Sequence, residues 1–181
     1  SIIIHDRETG EIIDANPSAC AMYGFTSVAE LQANEFWLEP PYSFVEALTW
    51  IRKAAAEGTQ QFEWLNRQVS GELFWEHVHL SPLTIGGEQR ILATTIDITA
   101  LKRSEEILRK LSQAVEQSPA SVVITDLSGA IEYVNPRFCD ITGYSREEAI
   151  GSNPRILKSE TNDSSTYNEL WQTITAGEEW K

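Results

Sequence analysis

The amino-acid sequence predicts an α+β fold in which a five-stranded antiparallel sheet carries its helices on one face, present once in full and once in part. Three observations predict it. Two short apolar runs flank a polar turn at the start, and three longer apolar runs with glycine turns follow a helical segment. The pattern Asn-Pro-x-x-Cys-x-x-x-Gly-aromatic occurs at 16–25 and again at 135–144. Short turns between neighbouring strands make the sheet antiparallel, with the helices on one face.

The repeated pattern indicates two copies of one globular domain. Proteins that stack small repeats have periods of about 20 to 50 residues, whereas positions 16 and 135 lie a whole domain apart. The flanking residues also match, since "IIIHDRETGEIID" precedes the first pattern and "VVITDLSGAIEYV" the second. We therefore expect a complete domain at 1–99, a helical connector at 100–117 and the front two thirds of a second domain at 118–181, which would lack its last three strands.

The first copy begins with a predicted hairpin and two short helices. "SIIIH" and "IIDA" are strand-like runs on either side of the polar turn "DRETGE". Asn16 followed by Pro17 predicts a helix start, because Asn caps the helix and Pro lacks an N–H that would be unpaired there anyway. Gly24 predicts the end of this helix. "TSVAEL" predicts a second helix capped by Thr26 or Ser27.

A third helix and three strands complete the first copy. Residues 43–57 have apolar side chains at helical spacing and end at Gly58; these side chains are Phe44, Ala47, Leu48, Ile51 and Ala55. The strands are "QQFEWLNRQ", "LFWEHVHLSPL" and "RILATTIDIT", separated by the turns "VSGE" and "TIGGEQ". The predicted order is β-β-α-α-α-β-β-β.

The connector has apolar residues at a spacing of alternately three and four positions. They are Leu101, Leu108, Leu111 and Val115, with Ser104 completing the series. One reading is a helix that packs on the sheet of its own domain, and the other is a parallel coiled coil between two chains. The seam covers about two heptads, fewer than a sustained coiled coil shows, so both readings stay open. Either gives a stiff connector.

Composition and charge exclude several classes of partner. The chain is 41% hydrophobic and 23% charged, with a formal net charge of −13. This charge repels phosphate backbones and anionic lipids, so we expect neither nucleic acid nor direct membrane contact. No apolar run is long enough to span a membrane. Cys20 and Cys139 occupy equivalent positions and are expected as reduced, buried helix residues, which indicates a cytoplasmic location. The chain lacks an initiator Met and is expected to be part of a longer protein.

Four features point to one family: the order of elements, the duplicated Asn-Pro turn, the Asp-to-Ile hairpin and the closing Asp97-Ile98-Thr99. With them the sequence resembles the PAS family of sensory domains. The resemblance implies a sensory or regulatory module of a bacterial-type signal transduction protein, which relays a ligand or redox state to an output domain outside this chain. It also implies a homodimer formed through the PAS domain and the connector. In this family the Asp-Ile-Thr motif ties the sheet to the outgoing helix, which implies a relay role for Asp97, as a hydrogen-bond or ion-pair partner, and Thr99, as helix cap.

The second copy carries a further resemblance at "GSNPRILKS", residues 151–159. This stretch resembles the flavin-contacting helix of light-oxygen-voltage PAS domains, G-x-N-C-R-F-L-Q, with matches at Asn153, Arg155 and Leu157. Pro154 stands where those domains have the photoreactive Cys, so no cysteinyl adduct is expected. A later set of residues also resembles PAS domains that hold FAD for redox sensing: Leu170, Trp171, Ile174, Gly177 and Trp180.

The resemblance thus implies FAD or FMN in the second domain, contacted by Asn153, Arg155 and Leu157. The alternative is a pocket filled by the domain's own side chains. The first copy has "EFWLEPPYSF" in the corresponding region and lacks the matching Asn and Arg. We therefore expect the first domain to serve dimerisation and relay, and the second to be the ligand sensor.

Other candidate chemistry in the first copy is sparse. His77 and His79 share one face of a predicted strand, but two ligands are fewer than a metal site needs. Glu76 shares the inward face with Val78 and Leu80, where a buried carboxylate would need a partner. It could bind a ligand, close an ion pair or be exposed at the sheet edge, and edge exposure is the expectation.

No nucleophile elbow or phosphate-binding loop is present in the sequence. We therefore expect no enzyme activity in this chain. The alternative is a fragment of a signalling enzyme, a histidine kinase or cyclic-di-nucleotide enzyme, whose PAS domains serve only as a dimerisation scaffold.

Overall fold

The computed structural model describes residues 1–34, 36–158, 169, 172 and 173. The chain forms two compact units, Ser1–Ile107 and Leu108–Lys181. The five residues of the second flavin-like set lie outside the described residues, so that part of the resemblance stays a prediction; they are Leu170, Trp171, Ile174, Gly177 and Trp180.

The first unit has the predicted order of elements. Five antiparallel strands form one sheet in the order β2-β1-β5-β4-β3. The elements are β1 (Ile2–Asp6), β2 (Ile12–Ala15), α1 (Pro17–Tyr23), α2 (Val28–Ala33), α3 (Phe44–Glu57), β3 (Gln60–Arg67), β4 (Leu73–Ile85) and β5 (Glu88–Asp97).

The repeated Asn-Pro turn adopts the same local structure in both units. Asn16 caps α1 by accepting the N–H of Ala19 at 2.8 Å. In the second unit Asn135 accepts the N–H of Phe138 at 3.1 Å. Each helix then ends at a glycine in the left-handed region, with φ of 83° at Gly24 and 79° at Gly143.

The turn between β4 and β5 is shorter than predicted. Ile85 pairs with Glu88, so the strands extend until only Gly86 and Gly87 connect them. Both glycines have positive φ, 60° and 88°. A two-residue hairpin that matches the twist of its strands requires positive φ at its central residues, which glycine adopts without steric cost.

The core of the first unit lies between one face of the sheet and helices α1 to α3. Helix α3 buries Ile51 and Ala54 there. Phe44, predicted on the same apolar face, is 38% exposed because it is the first residue of the helix, although its ring contacts Trp37 at 5.7 Å.

The connector forms helix α4 (Thr99–Glu116), and none of its residues is buried. Leu101, Leu108 and Leu111 of the predicted seam are each more than half exposed. The reading in which this seam packs on the sheet of its own domain is therefore wrong for these residues. The coiled-coil reading stays a prediction.

The described part of the second unit begins like the first. It contains β6 (Val123–Thr125), β7 (Ile131–Val134), α5 (Pro136–Thr142), α6 (Arg146–Ala149) and a 3₁₀ helix (Pro154–Leu157). Strands β6 and β7 are antiparallel, with an irregularity between Ile124 and Thr125. The first hairpin has its irregularity between Ile4 and His5, the equivalent positions. A small core forms from Ile131, Val134, Phe138 and Ala149.

Candidate functional site: a cavity in the first unit

A cavity of about 60 Å³ lies within the first unit between the sheet and the helices. Five aromatic side chains contribute to its walls, and the other walls are mainly aliphatic. The aromatic residues are Tyr23, Phe36, Trp37, Phe62 and Trp64. Four polar side chains also line it: His5, Asn66, Glu76 and Thr95. An apolar cavity with a few convergent polar groups is typical of a binding site.

Glu76 is the acidic side chain that lines this cavity. Its side chain is 2% exposed. The Tyr23 hydroxyl donates to Oε2 at 2.7 Å, and Asn66 Nδ2 donates to Oε1 at 3.1 Å. Burial raises the pKa of Glu76, while hydrogen bonds from Tyr23, Asn66 and Thr95 act against that rise.

The expectation that Glu76 is exposed at a sheet edge is therefore wrong. Strand β4 lies between β5 and β3, so it is not an edge strand. Successive side chains of a strand alternate between its two faces, and Glu76 lies on the buried face with Phe74 and Val78. The side chains that donate hydrogen bonds to it, Tyr23 and Asn66 among them, are neutral.

The protonation states of the neighbouring groups follow from their contacts. His5 Nδ1 lies 2.9 Å from the Gly10 carbonyl oxygen. A carbonyl can only accept, so Nδ1 carries the proton and the neutral ring has its lone pair on Nε2. Burial lowers the pKa of His5. Burial and the adjacent Glu76 raise the pKa of Tyr23 well above its ordinary value, so both neighbours are uncharged near neutral pH.

Trp64 lies directly opposite Glu76 in the pairing of β3 with β4. Paired residues of this kind have Cβ atoms about 4.5–5.5 Å apart on one face of the sheet. The Trp64 Nε1–H is buried and has no hydrogen-bond partner within the described residues. A buried donor without a partner costs about 1–3 kcal/mol, so an acceptor next to it would be stabilising.

The residue next to Glu76 connects the sheet to α4. The N–H of Trp75 donates to Thr99 Oγ1 at 2.8 Å, and the Trp75 carbonyl accepts the N–H of Ile98 at 2.8 Å. Asp97 Oδ1 accepts the N–H of Thr99, also at 2.8 Å. Asp97 and Thr99, the two residues expected to relay the signal, both lie at this junction, but Thr99 is not the helix cap. Asp97 accepts the first N–H of the helix, and the Thr99 hydroxyl binds the strand.

Lys102 strengthens this junction. Its Nζ lies 2.6 Å from Glu63 Oε2 on β3 and 5.6 Å from the centre of the Trp75 ring. The hydrogen bond to Glu63 raises the pKa of Lys102. Ion pairs this accessible contribute little stability, so Lys102 mainly orients the start of α4.

The three predicted flavin residues lie at one 3₁₀ turn of the second unit. Asn153 caps this turn by accepting the N–H of Arg155 at 3.0 Å, and its Nδ2 donates to the Gly129 carbonyl at 3.0 Å. Arg155 is exposed and Leu157 is 41% exposed. The Asn153 amide thus has a structural role, and flavin contact by these residues stays a prediction.

The other candidates have ordinary surroundings. His77 and His79 are half-buried on the outer face of the sheet. No cluster of three or more metal-ligating side chains occurs in the described parts of the chain. Cys20 is buried as expected, Cys139 is only partly buried, and both are free thiols. Within the described residues, no helix combines the length and apolarity that a membrane span needs.

Sequence reasoning missed most of the cavity. A signal was present, because Asn66 on β3 and Glu76 on β4 both interrupt the inward apolar positions of their strands. Two polar residues at inward positions of neighbouring strands indicate a shared polar group in the core. Tyr23, His5 and Trp64 gave no such signal, since aromatic and imidazole side chains are common in ordinary cores.

Comparison with known proteins assigns both parts of the chain to related models. A family model described as PAS domain matches residues 1–100, and one described as PAS fold matches residues 109–181. The nitrogen fixation regulatory protein of Klebsiella pneumoniae is 39% identical over 67 residues, 37% of this chain and 14% of the relative. The oxygen sensor protein DosP of Escherichia coli K12 is 25% identical over 156 residues, 83% of this chain and 20% of the relative.

Among solved structures, the PAS domain of an HTR-like protein from Haloarcula marismortui is 25% identical with a TM-score of 0.46. The match covers 54% of this chain and 79% of that one. The chain spans a fifth or less of the length of the two curated relatives.

Proposed function

Because the chain belongs to the PAS family, we propose that it is the sensory part of a signal transduction protein, with two PAS domains in tandem. In this proposal the cavity of the first domain receives a small ligand. Helix α4 carries the resulting change towards an output domain elsewhere in the protein. The names of two relatives, a nitrogen fixation regulatory protein and an oxygen sensor protein, support a sensory role.

One observation carries this proposal: the cavity carboxylate and the anchor of α4 are adjacent residues of β4. Glu76 faces the cavity, and Trp75 holds Ile98 and Thr99 at the start of the helix. A ligand that changes the hydrogen bonds of Glu76 therefore acts one residue from the helix anchor. Such a ligand shifts the position of α4 only if it binds one arrangement of this junction better than the other.

Tandem duplication is supported by local structure. Both units have the same Asn-capped helix, the same left-handed glycine and a hairpin irregularity at equivalent positions. A common ancestor is the simplest account of so many shared details. The proposal thus treats 1–99 and 118–181 as two copies of one domain.

Dimerisation belongs to the same proposal. The exposed leucines of α4 form an apolar stripe, and a second copy of the chain in a parallel coiled coil would cover it. The proposed partner is thus another copy of the protein. We propose that neither nucleic acid nor a membrane is a direct partner. We also propose a cytoplasmic location. Any kinase or cyclic-di-nucleotide activity would lie outside these residues. The alternative is that the domains serve such an enzyme only as a scaffold.

Flavin in the second domain is a separate proposal. It is supported by the match of Asn153, Arg155 and Leu157 to the flavin-contacting pattern. Arg155 is exposed and would be free to approach a flavin phosphate, with which Arg makes charge-assisted hydrogen bonds.

Thr99→Val in the full-length protein tests the relay. The substitution keeps the shape of the side chain and removes the hydroxyl that accepts the Trp75 N–H. We expect the output to lose at least about half of its response to the stimulus, while the protein loses only about 1 kcal/mol of stability. Asp97→Ala, which removes the acceptor of the Thr99 N–H, should act in the same direction.

The matched control is Thr94→Val, a threonine on β5 that does not belong to the junction. The control should respond like the wild type. A Thr99→Val protein that switches as fully as the control under every stimulus would contradict the proposal and favour the scaffold alternative.

A further inference from the structure

We propose that the cavity of the first domain binds a small organic ammonium ion. This inference rests on the proposed function, because it names the class of ligand for the same site. Three properties of the cavity lead to it: a buried carboxyl that forms no ion pair, walls rich in aromatic faces, and a small volume.

The first property is the carboxyl. Glu76 takes part in none of the ion pairs formed within residues 1–34 and 36–158. A buried carboxylate is costly unless it is paired as well as hydrogen-bonded. Its two oxygens together accept about four hydrogen bonds, and Tyr23, Asn66 and Thr95 supply up to three of them. The carboxylate can therefore accept at least one further N–H group from a ligand.

The second property is the surface around that carboxyl. The faces of Trp, Tyr and Phe rings attract cations, most strongly where water is excluded. Trp64 is held opposite Glu76, and Trp37 and Phe62 form further walls. The neutral His5 adds an acceptor at Nε2. The ring faces and Nε2 favour a positive charge together with N–H donors, whereas the Trp64 Nε1–H stays without an acceptor beside such a ligand.

The third property is size. A cavity that can hold one water molecule has a volume of about 10–15 Å³. This cavity, of about 60 Å³, therefore holds only a few groups of that size. A compact branched alkylammonium ion such as isopropylammonium is of this size.

The experiment is a calorimetric titration of the 181-residue chain with isopropylammonium, with 2-propanol as the neutral molecule of the same shape. We expect isopropylammonium to bind and 2-propanol to bind at least tenfold more weakly. Ligands this small bind no more tightly than roughly 10⁻⁵–10⁻⁴ M, so the titration requires millimolar ligand. Absence of binding, or equal binding of the two molecules, overturns the proposal.

Glu76→Gln identifies the site. The amide oxygen of Gln still accepts from Tyr23 or Asn66, so the fold is retained while the charge is lost. We expect at least a tenfold loss of affinity for isopropylammonium. Glu57→Gln, at the exposed end of α3, removes the same charge elsewhere and should leave the affinity unchanged. Equal affinity of the Glu76→Gln variant and the wild type overturns the assignment.

The affinity also depends on pH in a defined direction. Glu76 must be ionised to pair with the ligand, and burial raises its pKa, so binding tightens as the pH rises through that pKa. Of the titratable groups near Glu76, His5 is held neutral and Tyr23 keeps its proton, while the Ser1 ammonium, which donates to the Thr95 carbonyl at 2.7 Å, acts to lower the pKa of Glu76. An affinity that falls with rising pH overturns the proposal. If isopropylammonium fails to bind but Thr99→Val still uncouples the output, the ligand class is wrong and the proposed function stands.

Discussion

Tyr23→Phe tests how Glu76 is accommodated in the core. The substitution preserves the ring and removes the hydroxyl that donates to Glu76 Oε2 at 2.7 Å. A hydrogen bond to a charged group contributes about 1.5–3 kcal/mol and one between neutral groups about 0.5–1.5 kcal/mol. Because burial raises the pKa of Glu76, the carboxyl is protonated at low pH and ionised at higher pH. We therefore expect the cost of Tyr23→Phe to rise with pH, from about 1 kcal/mol where the carboxyl is protonated to about 2 kcal/mol where it is ionised.

Urea unfolding followed by tryptophan fluorescence measures this cost. Trp37 and Trp64 line the cavity, and four of the six tryptophans lie in residues 1–99, so most of the signal comes from the first domain. Tyr42→Phe is the matched control, because the Tyr42 hydroxyl makes no hydrogen bond to the described residues although its ring packs against Trp64 at 5.5 Å. The control should change stability by less than about 0.5 kcal/mol. A Tyr23→Phe cost that is equally small, or that does not grow with pH, would refute the reasoning.

Three further predictions follow from other contacts. Burial makes the pKa of Glu76 higher in the folded than in the unfolded protein. The folded protein therefore holds the Glu76 proton more tightly, and its stability falls as the pH rises from the unfolded-state pKa through the folded-state pKa. Glu76→Gln should therefore become more stable relative to the wild type as the pH rises, as measured by urea unfolding; a constant difference would contradict this. Asn135→Ala should cost about 2–3 kcal/mol of unfolding free energy and Asn16→Ala about 1 kcal/mol, measured by thermal or urea unfolding. The costs differ because the fully buried Asn135 amide also donates to the Val115 and Ala120 carbonyls. Equal costs would show that those two bonds contribute little. In the full-length protein, Arg155→Ala should weaken FAD or FMN binding at least about tenfold in an absorbance titration, and retained affinity would remove Arg155 from the flavin proposal.

Local features of the fold could be predicted from the sequence because their causes lie within a few residues. Asn16 with Pro17 starts α1, and Gly24 ends it, in the structure as in the prediction. The hairpins, α3 and the three long strands follow from periodicity in the same way. The hairpin between β4 and β5 is tighter than expected because the sequence of a turn does not show how far its strands continue to pair.

The candidate site could be predicted only in part because its causes are non-local. The burial of Glu76 depends on β4 having neighbours on both sides, and the strand order that provides them is set by the whole sheet. Tyr23 reaches Glu76 from α1 and Asn66 reaches it from β3. The cavity itself is a volume left unfilled by many side chains. No pattern of residues along the chain encodes that volume.

Amide hydrogen exchange tests the central claim, that the state of Glu76 is transmitted to the start of α4. The N–H groups of Trp75, Ile98 and Thr99 each donate a hydrogen bond within the junction. The account predicts that Glu76→Gln, compared with the wild type at about pH 8, changes the exchange rates of these three amides together by at least about threefold. The amides of the β6–β7 hairpin should keep their rates. Unchanged exchange at the three junction amides, in a variant whose other amides show an intact fold, would contradict the account.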